Sequence, residues 1–166
     1  MIWGLSESTF TTVHTVLSLI GIGSGLVVMF GFLRGKERGG WTLLFLVTTV
    51  ATCVTGFAFP FDRLLPAHKV GIVSLVALAV AIVARYVFHL AGAWRWIYVV
   101  CAGIALYLNV LVGVVQAFQK IPALTALAPN QTELPFVITQ LVVLALFIAL
   151  TIAAAKAFRG EPVRTL

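Results

Sequence analysis

The sequence is dominated by five apolar stretches, each long enough to cross a lipid bilayer as an α-helix. They cover residues 10–33, 41–61, 67–90, 94–118 and 135–157. A membrane-spanning helix needs about 20 mostly apolar residues, and each stretch ends at polar, glycine or proline residues. The sequence therefore predicts an all-α membrane protein, a single bundle of five transmembrane helices. The only long connection, residues 119–134, is predicted to be an outer loop.

The composition also indicates that lipid is the main solvent. Hydrophobic residues make up 61% of the 166-residue chain and charged residues 10%, whereas soluble domains carry about 25% charged residues. The net charge of +6 does not indicate nucleic-acid binding, because the basic residues lie between apolar stretches and not in one patch. We therefore expect the lipid bilayer, and no nucleic acid, among the partners.

The distribution of basic residues predicts the orientation. One side would hold eight of them, namely Arg34, Lys36, Arg38, Arg85, Arg95, Lys156, Arg159 and Arg164. The other side would hold Arg63, Lys69 and Lys120. Lysine and arginine are enriched in cytoplasmic loops, so the sequence predicts a protein with its N-terminus outside and its C-terminus inside. Arg85 and His89, four residues apart, are interpreted as an anchor at the inner interface.

Polar residues inside the membrane are costly and tend to face the bundle interior. In the first helix, His14, Ser18, Gly21 and Gly25 share one face. The second helix has a stripe of Thr48, Thr52 and Thr55, with Thr49, Cys53 and Gly56 beside it. The fourth has a stripe of Tyr98, Ala102, Ala105, Asn109, Gly113 and Gln116. These stripes are predicted to pack against other helices.

A polar layer in the outer leaflet is the predicted binding site. At a rise of about 1.5 Å per residue, four polar residues from four helices fall in the outer third of the membrane: His14, His68, Gln116 and Gln140. Asn109 is the deepest strongly polar side chain. The sequence thus predicts a non-enzymatic protein that binds a ligand or metal with these five residues.

Two cofactors fit this layer on sequence grounds. His14 and His68 with Asp62 could bind a transition metal, since imidazole and carboxylate are common ligands. The same two histidines could instead be axial ligands of a b-type haem between the first and third helices, which would make the protein an electron carrier. An enzyme is not favoured, because the sequence shows no nucleophile–base pair.

A third alternative is an accessory or assembly subunit of a larger membrane complex. Gly21 and Gly25 form a GxxxG step, which allows close approach of another helix. The step could join the chain to other membrane subunits or to a second copy of itself.

Two segments carry a resemblance to known proteins. LPAHKVGIVSLVALAVAIVARY (65–86) and WRWIYVVCAGIALYLNVLVGVVQAF (94–118) are similar to segments of a family of small, uncharacterised bacterial inner-membrane proteins. The resemblance implies a multi-pass protein of the bacterial inner membrane and implies no activity.

Overall fold

The computed structural model describes residues 2, 4–59 and 66–159, all of which are helical or in connecting turns apart from a single bridge between Ile2 and Leu5. The helices are α1 Glu7–Leu33, α2 Gly39–Gly56, α3 Pro66–Ile82 with a π-helical turn Val83–Val87, α4 Trp94–Lys120, α5 Pro122–Leu127 and α6 Leu134–Ala157. Five of them, α1, α2, α3 with its turn, α4 and α6, are long and apolar enough to span a membrane. The predicted all-helical architecture with five candidate spans is confirmed.

The first helix has clear start and stop signals. The Ser6 hydroxyl accepts a hydrogen bond from the Thr9 backbone N–H at 3.2 Å, which satisfies one of the amides left free at a helix N-terminus. Glu7 in the first turn complements the helix dipole. The helix stops where Gly35 adopts a φ of +67°, a conformation that glycine tolerates best.

Two predicted helices end earlier than their apolar stretches. The stretch 41–61 is helical only to Gly56, and residues 60–61 lie outside the described part of the chain. The stretch 67–90 leaves α-helical geometry at Val83, makes the π-helical turn and ends in left-handed backbone at His89 (φ 47°) and Leu90 (φ 59°). Neither glycine nor proline marks this stop, so hydropathy alone overestimates the helix.

The connection predicted as an outer loop, 119–134, contains a short helix. Pro122 starts α5 at a position where its missing N–H costs nothing. The Thr125 hydroxyl donates to the Phe118 carbonyl of α4 at 2.8 Å, and the Gln131 amide donates to the Val115 carbonyl at 3.1 Å. The connection is therefore folded back against the end of α4.

The bundle is built around α4. This helix packs against α1, α2, α3 and α6, while the other neighbours are α1 with α2, α2 with α3, and α1 with α6. The predicted α4 stripe is buried from Tyr98 to Asn109, whereas Gly113 is half-buried and Gln116 is exposed. In α6, only Phe147 and Ala154 are buried, so this helix lies on the outside of the bundle.

Successive membrane-length helices are antiparallel, which gives the bundle two chemically different ends. One end, called the histidine end, holds the starts of α1, α3 and α6. There the rings of Phe10 and Phe59 pack together, with their centroids 5.1 Å apart. The other, called the basic end, holds the described residues Arg34, Lys36, Arg38, Arg85, Arg95, Lys156 and Arg159. At that end the rings of Phe32 and Phe158 pack together, with their centroids 4.9 Å apart.

Candidate functional site

His14 lies near the histidine end and is held by α2. Its Nδ1 is 2.8 Å from the Thr55 hydroxyl, and its ring meets Phe59 edge-on at 5.3 Å. Thr55 uses its own hydroxyl hydrogen on the Ala51 carbonyl, at 2.7 Å. In the neutral imidazole Nδ1 is therefore the donor, which leaves Nε2 of the half-buried His14 as an acceptor.

Asn109 lies one helical turn deeper, between α4 and α1. The Ser18 hydroxyl donates to Asn109 Oδ1 at 2.9 Å, while Asn109 Nδ2 has only a long contact of 3.5 Å with the Ser18 carbonyl. A Cβ atom on Gly21 would lie 3.0 Å from Asn109 Nδ2 and 3.0 Å from Thr49 Oγ1. The missing side chain of Gly21 thus lets polar atoms of α4 and α2 approach the same point on α1.

Thr49 differs from the three threonines nearest to it in α2. Thr42, at the start of that helix, is the other threonine whose buried hydroxyl has no hydrogen-bond partner among the described residues. The hydroxyls of Thr48, Thr52 and Thr55 each donate to the carbonyl four residues earlier, at 2.7–2.8 Å. Thr49 is 1% exposed, and its hydroxyl has no hydrogen-bond partner among the described residues. A buried polar group left unpaired costs about 1–3 kcal/mol, and such groups often mark a missing water, ion or ligand.

These five residues, His14, Thr55, Ser18, Asn109 and Thr49, form what we call the polar column. The column lies between α1, α2 and α4 and reaches the surface through His14. It stops at Gly25, where a Cβ atom would lie 2.5 Å from Leu106 and 2.8 Å from Phe45. The apolar side chains that pack against Gly25 close the column toward the basic end.

The remaining predicted ligand-binding residues make other contacts. His68 is buried and stacks on Phe57, with ring centroids 5.5 Å apart. Gln140 donates to the Leu111 carbonyl at 3.3 Å, and its buried Oε1 has no partner within the described part of the chain. Gln116 is exposed on α4. The structure therefore brings His14 and Asn109 into one column and gives the other three separate surroundings.

Of the residues predicted to bind a metal or a haem, the structure describes His14 and His68. Asp62, the third proposed metal ligand, lies outside the described residues. Within residues 2, 4–59 and 66–159, no group of three His, Cys, Asp or Glu side chains could hold a metal ion. For a haem, α1 packs on α2, α4 and α6, and α3 packs on α2 and α4. A haem between α1 and α3 would occupy the space in which these helices pack.

The glycine face predicted to meet a partner is filled within the chain. Gly21 and Gly25 are both buried. Their neighbours are Asn109 and Leu106 of α4 together with Thr49 and Phe45 of α2. A complex formed through this face would have to displace α2 or α4, so an accessory subunit would need another surface.

A second group of polar residues, which the sequence did not single out as a site, lies at the basic end. Arg85 forms an ion pair with Glu37 in the connection between α1 and α2. Its guanidinium lies over the rings of Tyr86 and Tyr98, 5.1 Å and 6.0 Å from their centroids. The available signal was the single acid within RGKERGG (34–40). Arg85 is thus more than the interfacial anchor that its position predicted.

The chain was compared with known protein families, curated proteins and solved structures. No protein-family model, no curated protein and no solved structure matches the chain.

Proposed function

We propose that this is a non-enzymatic, multi-pass membrane protein that binds a small hydrogen-bonding ligand in the polar column. The observation that carries the proposal is the buried, unpaired Thr49 hydroxyl beside the weakly bonded Asn109 amide. Polar groups in a bilayer interior that serve only helix packing normally bond to each other. In the column, Ser18 bonds to Asn109 and His14 bonds to Thr55. The Thr49 hydroxyl has no such partner among the described residues.

The chemistry of the column limits the ligand. Asn109 Nδ2 can donate, Thr49 Oγ1 can donate or accept, and His14 Nε2 can accept. A ligand with at least one acceptor and one donor fits this set. Because Phe45 and Leu106 fill the space at Gly25, the ligand is small and enters from the histidine end.

The distribution of charge supports the orientation in the membrane. Seven described basic residues lie at the basic end, and Lys69 and Lys120 lie at the other. By the positive-inside rule the basic end is cytoplasmic. The proposal therefore includes an outer N-terminus, an inner C-terminus, a bacterial inner membrane and a ligand taken from the outer compartment.

A transition metal is the second candidate. The acceptor Nε2 of His14 is the form of imidazole that binds metals. His68 would have to turn away from Phe57 to join it. We rank this function second because the polar column contains a single predicted metal ligand, His14, and a metal site needs several.

The test compares the small molecules and metals that copurify with the wild-type protein and with two matched variants. Extracts of detergent-purified wild-type protein, Thr49→Val and Thr52→Val are analysed by mass spectrometry and metal analysis. Thr52→Val is the control, because the Thr52 hydroxyl is already bonded to the Thr48 carbonyl. We expect a near-stoichiometric small molecule from the wild type and from Thr52→Val, and none from Thr49→Val. Identical extracts from all three proteins would overturn the proposal, and a metal lost with His14→Ala would favour the second candidate.

A further inference from the structure

At the basic end, a small cavity opens beside the end of α3. The cavity has a volume of about 200 Å³ and is lined by Glu37, Arg85, Tyr86, His89 and Leu90. It is smaller than the roughly 300–1,000 Å³ of sites that enclose a whole organic ligand. A cavity of this size suits one polar group of a larger molecule whose remainder lies elsewhere.

The backbone of α3 is distorted where it forms this cavity. The π-helical turn contains Arg85 and Tyr86, and the left-handed residues His89 and Leu90 follow directly. π-Helical turns within helices are frequent at functional sites, and left-handed backbone at residues other than glycine carries strain. Four of the five lining residues come from this distorted segment, so the distortion builds the cavity.

An apolar groove continues from the same cavity along α2 and α3. It has a volume of about 390 Å³ and is lined by Leu43, Leu46, Val47, Val50, Ala51, Val54, Ile82 and Tyr86. Tyr86 lines both the groove and the cavity, so the two are neighbours. From Leu43 to Val54 the groove runs about 16 Å at a rise of about 1.5 Å per residue, close to half of a hydrocarbon core of about 30 Å.

Basic residues surround the cavity and favour an anion, while inside the cavity Arg85 is ion-paired with Glu37. Glu37 is the only acid among the described residues at this end, against seven basic residues. Arg85 is 15% exposed at its side chain, and arginine binds phosphate oxygens in a fork-like geometry. Exposed Trp41 and Trp96, at 46% and 50%, are typical of the interface between headgroups and acyl chains.

We infer that the cavity and groove together bind one phospholipid with an anionic headgroup, in the leaflet at the basic end. The lipid phosphate lies against Arg85, and one acyl chain lies along α2 between Leu43 and Val54. The site is separate from the polar column, because Thr49 and Thr55, the α2 residues of the column, do not line the groove or the cavity. Basic pockets between helices on the cytoplasmic side commonly hold such headgroups.

The headgroup half is tested by native mass spectrometry of the detergent-purified full chain with added phosphatidylglycerol or phosphatidylethanolamine. We expect one phosphatidylglycerol adduct on the wild type, and at least tenfold less on the double variant Glu37→Gln/Arg85→Gln. The double variant removes both charges, so no partner of the ion pair is left alone. Arg34→Gln, an exposed basic residue outside the cavity, should bind within twofold of the wild type. Equal loss in Arg34→Gln would show unspecific attraction and overturn the site.

The groove that holds the acyl chain is tested with a separate variant. This second test remains decisive even if the double variant Glu37→Gln/Arg85→Gln fails to fold. Ala51→Phe should fill the groove and reduce the phosphatidylglycerol adduct at least fivefold, whereas Val76→Phe, on a lipid-facing position of α3, should not. Millimolar inorganic phosphate should leave the adduct in place. Displacement by phosphate would assign the cavity to a free anion and overturn the lipid, as would an undiminished adduct in Ala51→Phe.

Discussion

Ser18 of α1 donates a hydrogen bond of 2.9 Å to Asn109 of α4, across 91 residues of sequence. This bond joins the two helices on either side of the polar column and lies where the membrane interior would offer no water to replace it. It fixes the position of the Asn109 amide relative to Gly21 and Thr49. The geometry of the proposed ligand site therefore depends on one contact between distant parts of the chain.

Removing either partner of this bond should be measurable. We expect Ser18→Ala and Asn109→Leu to be coupled by about 0.6–1.7 kcal/mol, the range found for hydrogen bonds between membrane helices. A double-mutant cycle of unfolding in mixed detergent micelles, followed by circular dichroism, measures the coupling. Additive effects of the two changes would show that the bond contributes nothing to stability.

Gly25 and Gly23 offer a matched pair on one helix. Gly25→Ala would place a Cβ atom 2.5 Å from Leu106, whereas at Gly23 nothing lies within 4 Å. We expect Gly25→Ala to lower the free energy of unfolding by about 1–3 kcal/mol through overpacking. Gly23→Ala should be neutral or stabilising by up to about 1 kcal/mol, because alanine is the better helix former. Equal thermal stabilities of the two variants would contradict the packing of α1 against α4.

Glu133 should make the connection before α6 sensitive to acid. Desolvation, the largest single effect, raises its pKa, but hydrogen bonds to the carboxylate together lower the pKa below the ordinary value. The donors are the backbone N–H groups of Glu133, Asn130 and Thr132 and the Asn130 side-chain amide. A lowered pKa stabilises the folded connection above the ordinary glutamate value of about 4.3, and this contribution disappears as the pH falls through the folded value. Protection factors of the Asn130 and Thr132 amides should therefore fall in acid.

The control for this pH dependence is Glu133→Gln, which cannot ionise. In this variant the protection of the two amides should no longer change between neutral and acidic pH. A wild-type connection that keeps full protection after the Glu133 carboxylate has been protonated would mean that the carboxylate does not organise it.

An absorption spectrum distinguishes the haem alternative from the proposed ligand. Because α2 and α4 pack in the space between α1 and α3, we expect detergent-purified protein to show no Soret band, before or after reduction. A band that shifts on reduction and is lost in both His14→Ala and His68→Ala would establish the haem and require α1, α2 and α3 to rearrange. The measurement uses the same sample as the extraction experiment.

Much of the fold follows directly from the sequence, because the length of an apolar stretch fixes where a membrane helix can lie. The α1 face of His14, Ser18 and Gly21 was also predictable, since helical periodicity places these residues together. Hydropathy cannot show that α3 ends in a π-helical turn or that Pro122 begins another helix. Both features depend on local backbone hydrogen bonds, which hydropathy does not measure.

The candidate site was predictable only in part. Spacing places His14 and Asn109 on inward faces, but it cannot say which of the five threonines in α2 lack a carbonyl partner, because that depends on rotamer and packing. The prediction that Gln116 and Gln140 join His14 used depth alone. Residues at the same depth can face different directions, and Gln116 faces outward on α4.

The central position of α4 has a consequence for the synthesis of the protein. Until α4 has been made, Ser18 and Thr49 belong to helices that lack the side chain of Asn109, and the face of Gly21 is covered by α2 alone. A nascent chain that stops before residue 94 would expose these hydroxyls to acyl chains or to other newly made helices. Completed and interrupted chains therefore differ in a feature that membrane quality-control proteases could recognise, even before α6 closes the bundle.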